Sequence, residues 1–443
     1  MQYKIFSDSP YHGGNELDIS GMITYTVADK WLKEKGKLLF LITQTHFQSG
    51  SSQGFRQFKI NDTMNLKPVK VEDLKMLRPF PDAANKTALL IAEKTKEAPG
   101  YPVPYVEWYA KSGVSKVLSE RYSKDEVLDR VDRVEKEAIP IGEKGAPWAI
   151  LPKGKYSDYI HLCGESGWVQ GRKGITCDLN GIYFVKILQF SADGLWVQIE
   201  TRPEAGKTNL GPAKRFWVEP DLLYPLLKGA GDLKPCGYTL EHELYAIVPN
   251  RGIIKTAYEE ASQKVEKDNP KLYHYFKNYE RLLRSRSTYK LRMKDAPFYC
   301  VYNVGPYTFA PWKLVWAEQP GNKFFSSAVV HTKRMDGLGD KIVIPDHKIY
   351  FADFCSPEPA YYLCGLLQCN TIQTLLKSFL VLLQVGNIFK HVSLPEYDSK
   401  NEDHCKLAKL VKEAHEIADE EEKNELLKEI ASLAEIILEN KRR

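Results

Sequence analysis

The sequence predicts an α/β protein: a partial doubly wound sheet comes first, a mixed α/β domain follows, and a helical tail ends the chain. Three observations support this prediction. Near the amino terminus, a segment with helical spacing leads into an apolar run of strand length. Residues 145–398 divide short apolar segments by turn residues and are rich in Gly, Pro, Trp and Tyr. Residues 401–441 are charged and have a helical period.

The composition is that of an ordinary globular protein and excludes several classes. The 443 residues are 43% hydrophobic and 27% charged, which favours two or three domains. The longest apolar runs, 38–42 and 379–385, are too short to span a bilayer, and the first twenty residues lack a signal pattern. The eight cysteines form no Cys-x-x-Cys pair and have no histidine cluster beside them. We therefore expect no metal site, no membrane partner and a cytoplasmic location with reduced thiols.

The amino-terminal elements follow from local patterns. ISGMITYTVADKWLK, at 19–33, has helical spacing, and Gly36 follows as a helix stop. KLLFLIT, at 37–43, is apolar throughout, which is typical of a strand covered on both faces. Two further strands are predicted at 69–74 and 86–94.

The apolar strand predicted at 37–43 needs neighbouring strands that the preceding sequence does not supply. Such a strand should lie centrally in a sheet, with a strand on each side. The chain before it offers one helix and about eighteen residues of turn-like sequence, which is too little for the strands that are needed. The domain therefore looks like the second half of a doubly wound domain whose first half lies elsewhere. The alternative is an antiparallel strand from later in the chain that covers the edge.

Several segments, in a consistent order, then carry a family resemblance. They are DIS and the helix after it, GKLLFLITQTHFQSG, the Gly-Phe-Arg at 54–56, LRPFPDAANKTALLIAEK (77–94), GRKGITCDLNGIYFV (171–185), LLYPLLKGAGDLKP (222–235), YKLRMKDAPFYCVYNVGPYTFAPWKLVW (289–316) and VGNIFKHVSLPEYD (385–398). Together they resemble the gamma-type N6-adenine DNA methyltransferases of restriction–modification systems, beginning just after the catalytic loop of those enzymes.

The resemblance implies the C-terminal half of such an enzyme with its target-recognition domain. It divides the chain into the C-terminal part of a Rossmann-like methyltransferase domain (1–110), a helical linker (111–144), a DNA target-recognition domain (145–400) and a helical tail (401–443). In the tail, an apolar stripe of Leu426, Ile430, Leu433 and Ile437 is expected to pack on the body or on a neighbouring helix. The resemblance also implies double-stranded DNA as a partner and S-adenosylmethionine as the cofactor of the complete enzyme.

The parts that catalysis requires are mostly missing. Asp8-Ser9-Pro10-Tyr11 is similar to the family's catalytic loop of Asn/Asp/Ser-Pro-Pro-aromatic, but only MQYKIF precedes it and a serine replaces the first proline. We favour a polar linker there over an active site. Two Gly-x-Gly sequences, at 229–231 and 337–339, lack the strand–turn–helix context of a cofactor site and are expected to be turns. The chain is therefore expected not to bind the cofactor alone and to need an amino-terminal half or partner subunit.

Candidate DNA contacts remain. Phe80 matches the family segment whose aromatic ring stacks on the flipped adenine, with a core phenylalanine as the alternative. Basic residues cluster in RLLRSRSTYKLRMK, at 281–294, which contains no acid, although such a run is also typical of a solvated helix face. Arg172 and Lys173 lie between two glycines that would leave room for DNA. The full set of candidate DNA contacts is Arg172, Lys173, Thr176, Asn180, Arg281, Arg284, Arg286, Lys290 and Arg292.

Four functions stay open from sequence alone. The preferred one is the target-recognition half of an adenine-N6 DNA methyltransferase that is catalytically incomplete alone. The alternatives are a non-catalytic DNA-specificity subunit that positions a partner enzyme, a stand-alone methyltransferase that uses the loop at Asp8, and a scaffold that uses the tail.

Overall fold

The computed structural model describes residues 19–82, 85–142, 145–240, 243–251, 265–318, 326–379 and 386–442. These residues form two compact units. The first contains the chain up to Gly167 together with parts of Thr371–Leu382 and Ile388–Leu394, and the second contains Trp168–Asn370, part of Leu383–Asn387 and the chain from Pro395. The prediction of a mixed α/β chain with several sheets and a helical carboxyl end is confirmed.

The first unit is built on one six-stranded sheet. Its strands, in chain order, are β1 (Lys37–Thr43), β2 (Asn65–Asp73), β3 (Thr87–Thr95), β4 (Val103–Ala110), β5 (Val131–Pro140) and β6 (Trp148–Pro152). Its helices before Gly167 are α1 (Ile19–Lys30), α2 (Lys124–Arg130) and α3 (Tyr156–Tyr159). The predicted helix at 19–33 and the strands at 69–74 and 86–94 therefore correspond to α1, β2 and β3.

The sheet order is β1-β3-β2-β4-β5-β6, and every neighbouring pair is antiparallel except β2 with β4. The expected doubly wound arrangement is therefore not confirmed. Within the described residues the strand partner of β1 is β3, and the second neighbour expected for β1 is not found among them. An apolar run indicates that a strand is buried by neighbouring elements. It does not indicate whether those elements belong to the same chain.

The expected helical linker at 111–144 is also corrected. Among the described residues of that range only α2 is helical, and it begins at a capping box in which Ser123 and Glu126 cap each other's backbone N–H groups. The following residues form β5, which pairs with β4 over eight residues. Charged residues of both signs dominate this segment, so its composition does not predict a strand. The strand β5 forms by pairing with β4, which precedes it in the chain.

The second unit contains two larger sheets and two small hairpins. Their orders are β10-β9-β8-β14-β11-β19, β16-β15-β20-β7, β12-β13 and β17-β18. The strands are β7 (Arg172–Lys173), β8 (Phe184–Phe190), β9 (Val197–Thr201), β10 (Arg215–Val218), β11 (Leu223–Leu227), β12 (Leu233–Lys234), β13 (Gly237–Tyr238), β14 (Leu244–Ile247), β15 (Trp312–Ala317), β16 (Ser327–His331), β17 (Lys333–Met335), β18 (Gly339–Lys341), β19 (Ile344–Pro345) and β20 (Ile349–Phe354).

The later helices are α4 (Asn180–Tyr183), α5 (Pro270–Lys277), α6 (Glu280–Ser285), α7 (Ser287–Arg292), α8 (Pro357–Leu366), α9 (Asn370–Phe379), α10 (Glu402–Glu416) and α11 (Glu420–Arg442). In the tail, Ile430, Leu433 and Ile437 are buried, as the apolar stripe predicts. Gly365 lets α8 and α10 approach closely, since a Cβ there would lie 2.8 Å from the Leu407 side chain. Among the described helices, none is long and apolar enough to cross a membrane.

Candidate nucleic-acid interface

The segment around Arg172 is fixed to the protein's own backbone. β7 pairs with β20 at the edge of its sheet, and Gly174 donates its N–H to the Ile349 carbonyl over 2.8 Å. A Cβ at Gly174 would lie 2.2 Å from the Asp346 carbonyl oxygen, and one at Gly171 would lie 2.7 Å from Asn387 Oδ1. Both glycines are therefore explained by close packing inside the second unit, and the interpretation that they leave room for DNA is replaced.

Arg172 and Lys173 lie beside acids and aromatic rings. Arg172 Nε is 3.2 Å from Asp353 Oδ1, and its guanidinium lies 4.2 Å from the centre of the Tyr307 ring. Lys173 Nζ is 2.6 Å from Glu318 Oε1. Each basic side chain keeps 33% of its surface exposed. The ion pairs with Asp353 and Glu318 orient the side chains of Arg172 and Lys173, and both side chains remain partly exposed to solvent. Contact of either residue with a DNA phosphate stays a prediction.

Two candidate DNA-reading segments, far apart in sequence, meet at Thr176. The backbones of Thr176 and Tyr302 form a bridge, with N–H to carbonyl distances of 2.9 and 3.0 Å. Asn303 Nδ2 donates to Thr176 Oγ1 over 3.1 Å. Arg292 donates to the Tyr302 hydroxyl over 3.1 Å. We call Thr176, Arg292, Tyr302 and Asn303 the junction.

A second contact joins the same two segments. The Asp178 carboxylate accepts from the Thr288 hydroxyl over 3.0 Å and from the Thr288 N–H over 3.3 Å. Asp178 has a φ of 62° and Asn303 a φ of 59°, so both occupy the left-handed region that Asn and Asp tolerate best. Neither Tyr302 nor Asn303 was predicted from the sequence as a DNA contact. The signal available was an Asn next to an aromatic residue within the motif-bearing segment at 289–316.

The basic run at 281–294 divides into inward and outward residues. Arg286 is 6% exposed and donates to the carbonyls of Leu283, Cys177, Phe298 and Cys300. Arg281, Arg284, Lys290 and Arg292 are exposed. Of these, Arg284 forms an ion pair of 2.7 Å with Glu280, which precedes the run and lies one helical turn away.

Asn180 opens the short helix α4. A Cβ at Gly181 would lie 2.9 Å from Pro203 Cα, so this glycine is needed where α4 passes the chain at 202–203. The Asn180 side chain is partly exposed, and its contact with DNA stays a prediction.

In the first unit, Phe80 lies in the connection between β2 and β3 and is 48% exposed. The alternative of a core phenylalanine is therefore not supported. The cleft beside it, lined by Arg78, Asn85 and Lys86 among others, measures about 20 Å³. By this measure one water needs about 10–15 Å³, so the cleft has room for about one water and cannot enclose a base. Phe80 can offer only an outer face, and stacking stays a prediction.

A buried polar cluster that the sequence analysis missed lies at the carboxyl end of β2. The Tyr105 hydroxyl donates to Asp73 over 2.5 Å, and Lys75 Nζ lies 2.8 Å from Glu107 and 3.5 Å from Asp73. Burial raises the pKa of Asp73. Burial also pushes the pKa of Glu107 upward, but Lys75 and the Tyr109 hydroxyl outweigh it, and the pKa of Glu107 is lowered.

Neither Gly-x-Gly sequence lies between a strand and an α-helix of the described residues. Gly229-Ala230-Gly231 belongs to a short turn that leads from β11 to β12, and Gly337 and Gly339 belong to the hairpin of β17 and β18. Both sequences are turns, as predicted. Within the described ranges no group of His, Cys, Asp and Glu could hold a metal ion. The possible catalytic loop of Asp8, Ser9, Pro10 and Tyr11 lies outside the described residues.

Comparison with known proteins supports the family resemblance. No family model matches the chain. The chain is 24% identical over 153 residues to the type II methyltransferase M.NspV of Nostoc sp., a region that covers 34% of this chain and 28% of M.NspV. The chain resembles a restriction–modification methyltransferase. That resemblance, which the motifs indicated, is confirmed.

Solved structures of restriction–modification enzymes also match, at low similarity. The type IIL enzyme MmeI in complex with DNA is 10% identical, with a TM-score of 0.49, over 94% of this chain and 48% of MmeI. The type IIG endonuclease BpuSI is 10% identical, with a TM-score of 0.28, over 91% of this chain and 47% of BpuSI. The chain thus spans about half the length of these two enzymes, and scores below 0.5 assign no fold.

Proposed function

We propose that this chain is the DNA-binding and target-recognition half of an N6-adenine DNA methyltransferase of a restriction–modification or phage-defence system. The junction is the observation that carries the proposal. It holds Thr176 and Arg292, two candidate DNA contacts from separate motif segments, on either side of Tyr302 and Asn303. The similarity to M.NspV supports the same function.

The junction offers both kinds of contact that sequence-specific binding needs. Arg292 is an exposed cation, and a guanidinium binds phosphate or the edge of a guanine. Asn303 has a side-chain amide, which is the group that pairs with adenine in the major groove. Its left-handed backbone and its bond to Thr176 fix that amide in one orientation. Arg281 and Lys290, also exposed, add phosphate contacts nearby in sequence.

In this proposal catalysis needs a second polypeptide segment. The Gly-x-Gly turns do not fit S-adenosylmethionine, so the amino-terminal half holds that cofactor, which supplies the methyl group when bound. The contribution of the described residues is to bind DNA and to place the exposed ring of Phe80 against the flipped adenine. Stacking on an aromatic ring stabilises a base by about 1–3 kcal/mol.

The test uses the purified full chain and duplex DNA over a series of salt concentrations. We expect weak binding whose affinity falls steeply as salt rises, and no methyl transfer by the chain alone. Methyl transfer that appears when an amino-terminal half is added separates this proposal from a non-catalytic specificity subunit. Methyl transfer by the chain alone that Asp8→Ala abolishes would instead establish a stand-alone enzyme. Absence of salt-dependent DNA binding would refute the proposal.

A further inference from the structure

One leucine of the basic run at 281–294 holds its side chain in water. Leu291, in α7, is 82% exposed, the highest value among the large apolar side chains of the described residues. A single exposed leucine is common on protein surfaces and by itself indicates nothing. Two features distinguish Leu291, namely the charge around it and the way in which its helix is held.

The charge around Leu291 is positive. Apart from Arg284, four cationic side chains of the run are exposed: Arg281, Lys290, Arg292 and Lys294. Of the acids that flank the run, Glu280 pairs with Arg284, and Asp295 is one carboxylate against these four cations. Charged residues are depleted in the core of protein–protein interfaces, so these surroundings do not favour a protein partner. They favour DNA, which offers phosphates to the cations and apolar base faces to the leucine.

The helix that carries Leu291 is held on both sides of this residue. Before it, the Tyr289 side chain is buried, and the Thr288 hydroxyl donates to the Asp178 carboxylate over 3.0 Å. After it, Arg292 is bonded within the junction over 3.1 Å. A side chain on a fixed support can separate two stacked bases without a further loss of backbone freedom, whereas one on a mobile loop would move aside.

We infer that Leu291 is a wedge, which enters duplex DNA between two neighbouring base pairs, unstacks that step and bends the duplex. This inference rests on the proposed function, because the exposed cations and the junction must first bring α7 to the DNA. The cost of unstacking one step is offset by burial of the leucine against the base faces. The additional phosphate contacts that a bent duplex allows also offset it.

The wedge provides sequence specificity without a hydrogen bond to a base. Pyrimidine–purine steps, such as TA and CA, unstack most easily. We expect the DNA sequences that the chain prefers to carry such a step where Leu291 enters.

A second copy of this chain is the alternative occupant of the surface around Leu291. In a symmetric contact, the exposed cations of one copy would face those of the other, and like charges repel. DNA is therefore favoured over a second copy.

The test measures base stacking in DNA that is bound to the full chain. Duplexes that the chain prefers are first selected from a random-sequence library. A fluorescent adenine analogue, whose emission is quenched by stacking, then replaces single bases along the selected duplex. We expect the wild-type chain to raise the emission at one step by at least about twofold, and a dye pair at the duplex ends to report a bend.

Substitutions at Leu291 identify the side chain that is responsible. Leu291→Ala should abolish the rise in emission and the bend, and should weaken binding of the selected duplex by about fivefold or more. Leu291→Met, which keeps an apolar side chain of similar length, should retain all three properties. Leu195→Ala is the matched control and should change none of them, since Leu195 is 62% exposed in the turn between β8 and β9 of the same unit. Both leucines are exposed, so all three variants should fold, which thermal unfolding checks.

A wedge is excluded if no step shows raised emission, or if the rise and the bend survive Leu291→Ala. Concentration-dependent dimers that Leu291→Ala dissolves would assign the surface to a second copy and also overturn the inference. Salt-dependent DNA binding with an unbent duplex would leave the proposed function standing and remove the inference alone. Absence of DNA binding by the wild-type chain would refute the proposed function, and the inference with it.

Discussion

Asn303 donates from its side-chain amide to the hydroxyl of Thr176 over 3.1 Å, although 127 residues separate them in sequence. The bond lies beside the backbone bridge between Thr176 and Tyr302, so the two loops are joined by backbone and by side chain. Asn303 holds a φ of 59°, which an Asn adopts at low cost and an Ala does not. The position thus combines a conformational requirement with an amide that can contact a base.

Substitution at Asn303 separates these two properties. Asn303→Gly removes the amide and its bond to Thr176 but tolerates the backbone, so the free energy of unfolding should fall by about 1 kcal/mol, the net contribution of one hydrogen bond. Asn303→Ala should lower it by a further 1–2 kcal/mol or so, the approximate cost of a left-handed alanine. Both should weaken binding to the cognate duplex about tenfold or more while leaving non-specific DNA binding unchanged. Unchanged cognate affinity in Asn303→Gly would exclude base reading by this residue.

Arg286 is expected to stabilise the fold. Its guanidinium donates to four backbone carbonyls and is 6% exposed. Arg286→Ala leaves those acceptors unpaired and should lower the free energy of unfolding by about 3 kcal/mol or more. The control is Arg281→Ala, an exposed position in the same basic run, which should leave stability unchanged. Urea denaturation measures the stability of both variants. If Arg286→Ala is as stable as the wild type and binds DNA more weakly, Arg286 contacts DNA instead of stabilising the fold.

Part of the fold could be predicted from the sequence. The helix α1 and the strands β1 to β3 follow from spacing and apolar runs, since local period determines those elements. The burial of Arg286 beside the exposure of Arg284 was not predictable, because both residues share one basic run and only tertiary packing separates them. The pairing of β1 with β3 was not predictable either, because an apolar run does not specify which strand lies beside it.

Phe80 should matter for turnover and little for folding. With 48% of its surface exposed, Phe80→Ala should change the free energy of unfolding by less than about 0.5 kcal/mol. In a reconstituted enzyme the same substitution should lower turnover more than DNA affinity, because stacking is gained only when the adenine leaves the duplex. Thermal unfolding, DNA affinity and methyl transfer are compared in one preparation. Equal losses of affinity and turnover, or a large loss of stability, would assign Phe80 a structural role.

Within the second unit, His415 links the tail helix α10 to strand β16 and should make the stability of this unit depend on pH. The Val329 N–H donates to His415 Nε2 over 2.8 Å, and His415 Nδ1 lies 2.7 Å from the Val411 carbonyl. This geometry requires a neutral ring with its proton on Nδ1. The pKa of His415 is lowered to about 4, mainly by burial; the hydrogen bond to Val411 opposes this shift, and Lys423 and His331 add to it.

The sign of the effect follows from the lowered pKa. In the unfolded chain His415 takes up a proton near its ordinary pKa of about 6.5, whereas in the folded chain it does so only near 4. The stabilisation is therefore complete above pH 6.5 and is lost as pH falls toward 4, by about 2 kcal/mol at pH 5. His415→Gln, which cannot titrate, should flatten this fall when urea denaturation is measured between pH 7 and pH 5. An equally steep fall in that variant would assign the pH dependence to other groups, such as His404, whose pKa burial also lowers.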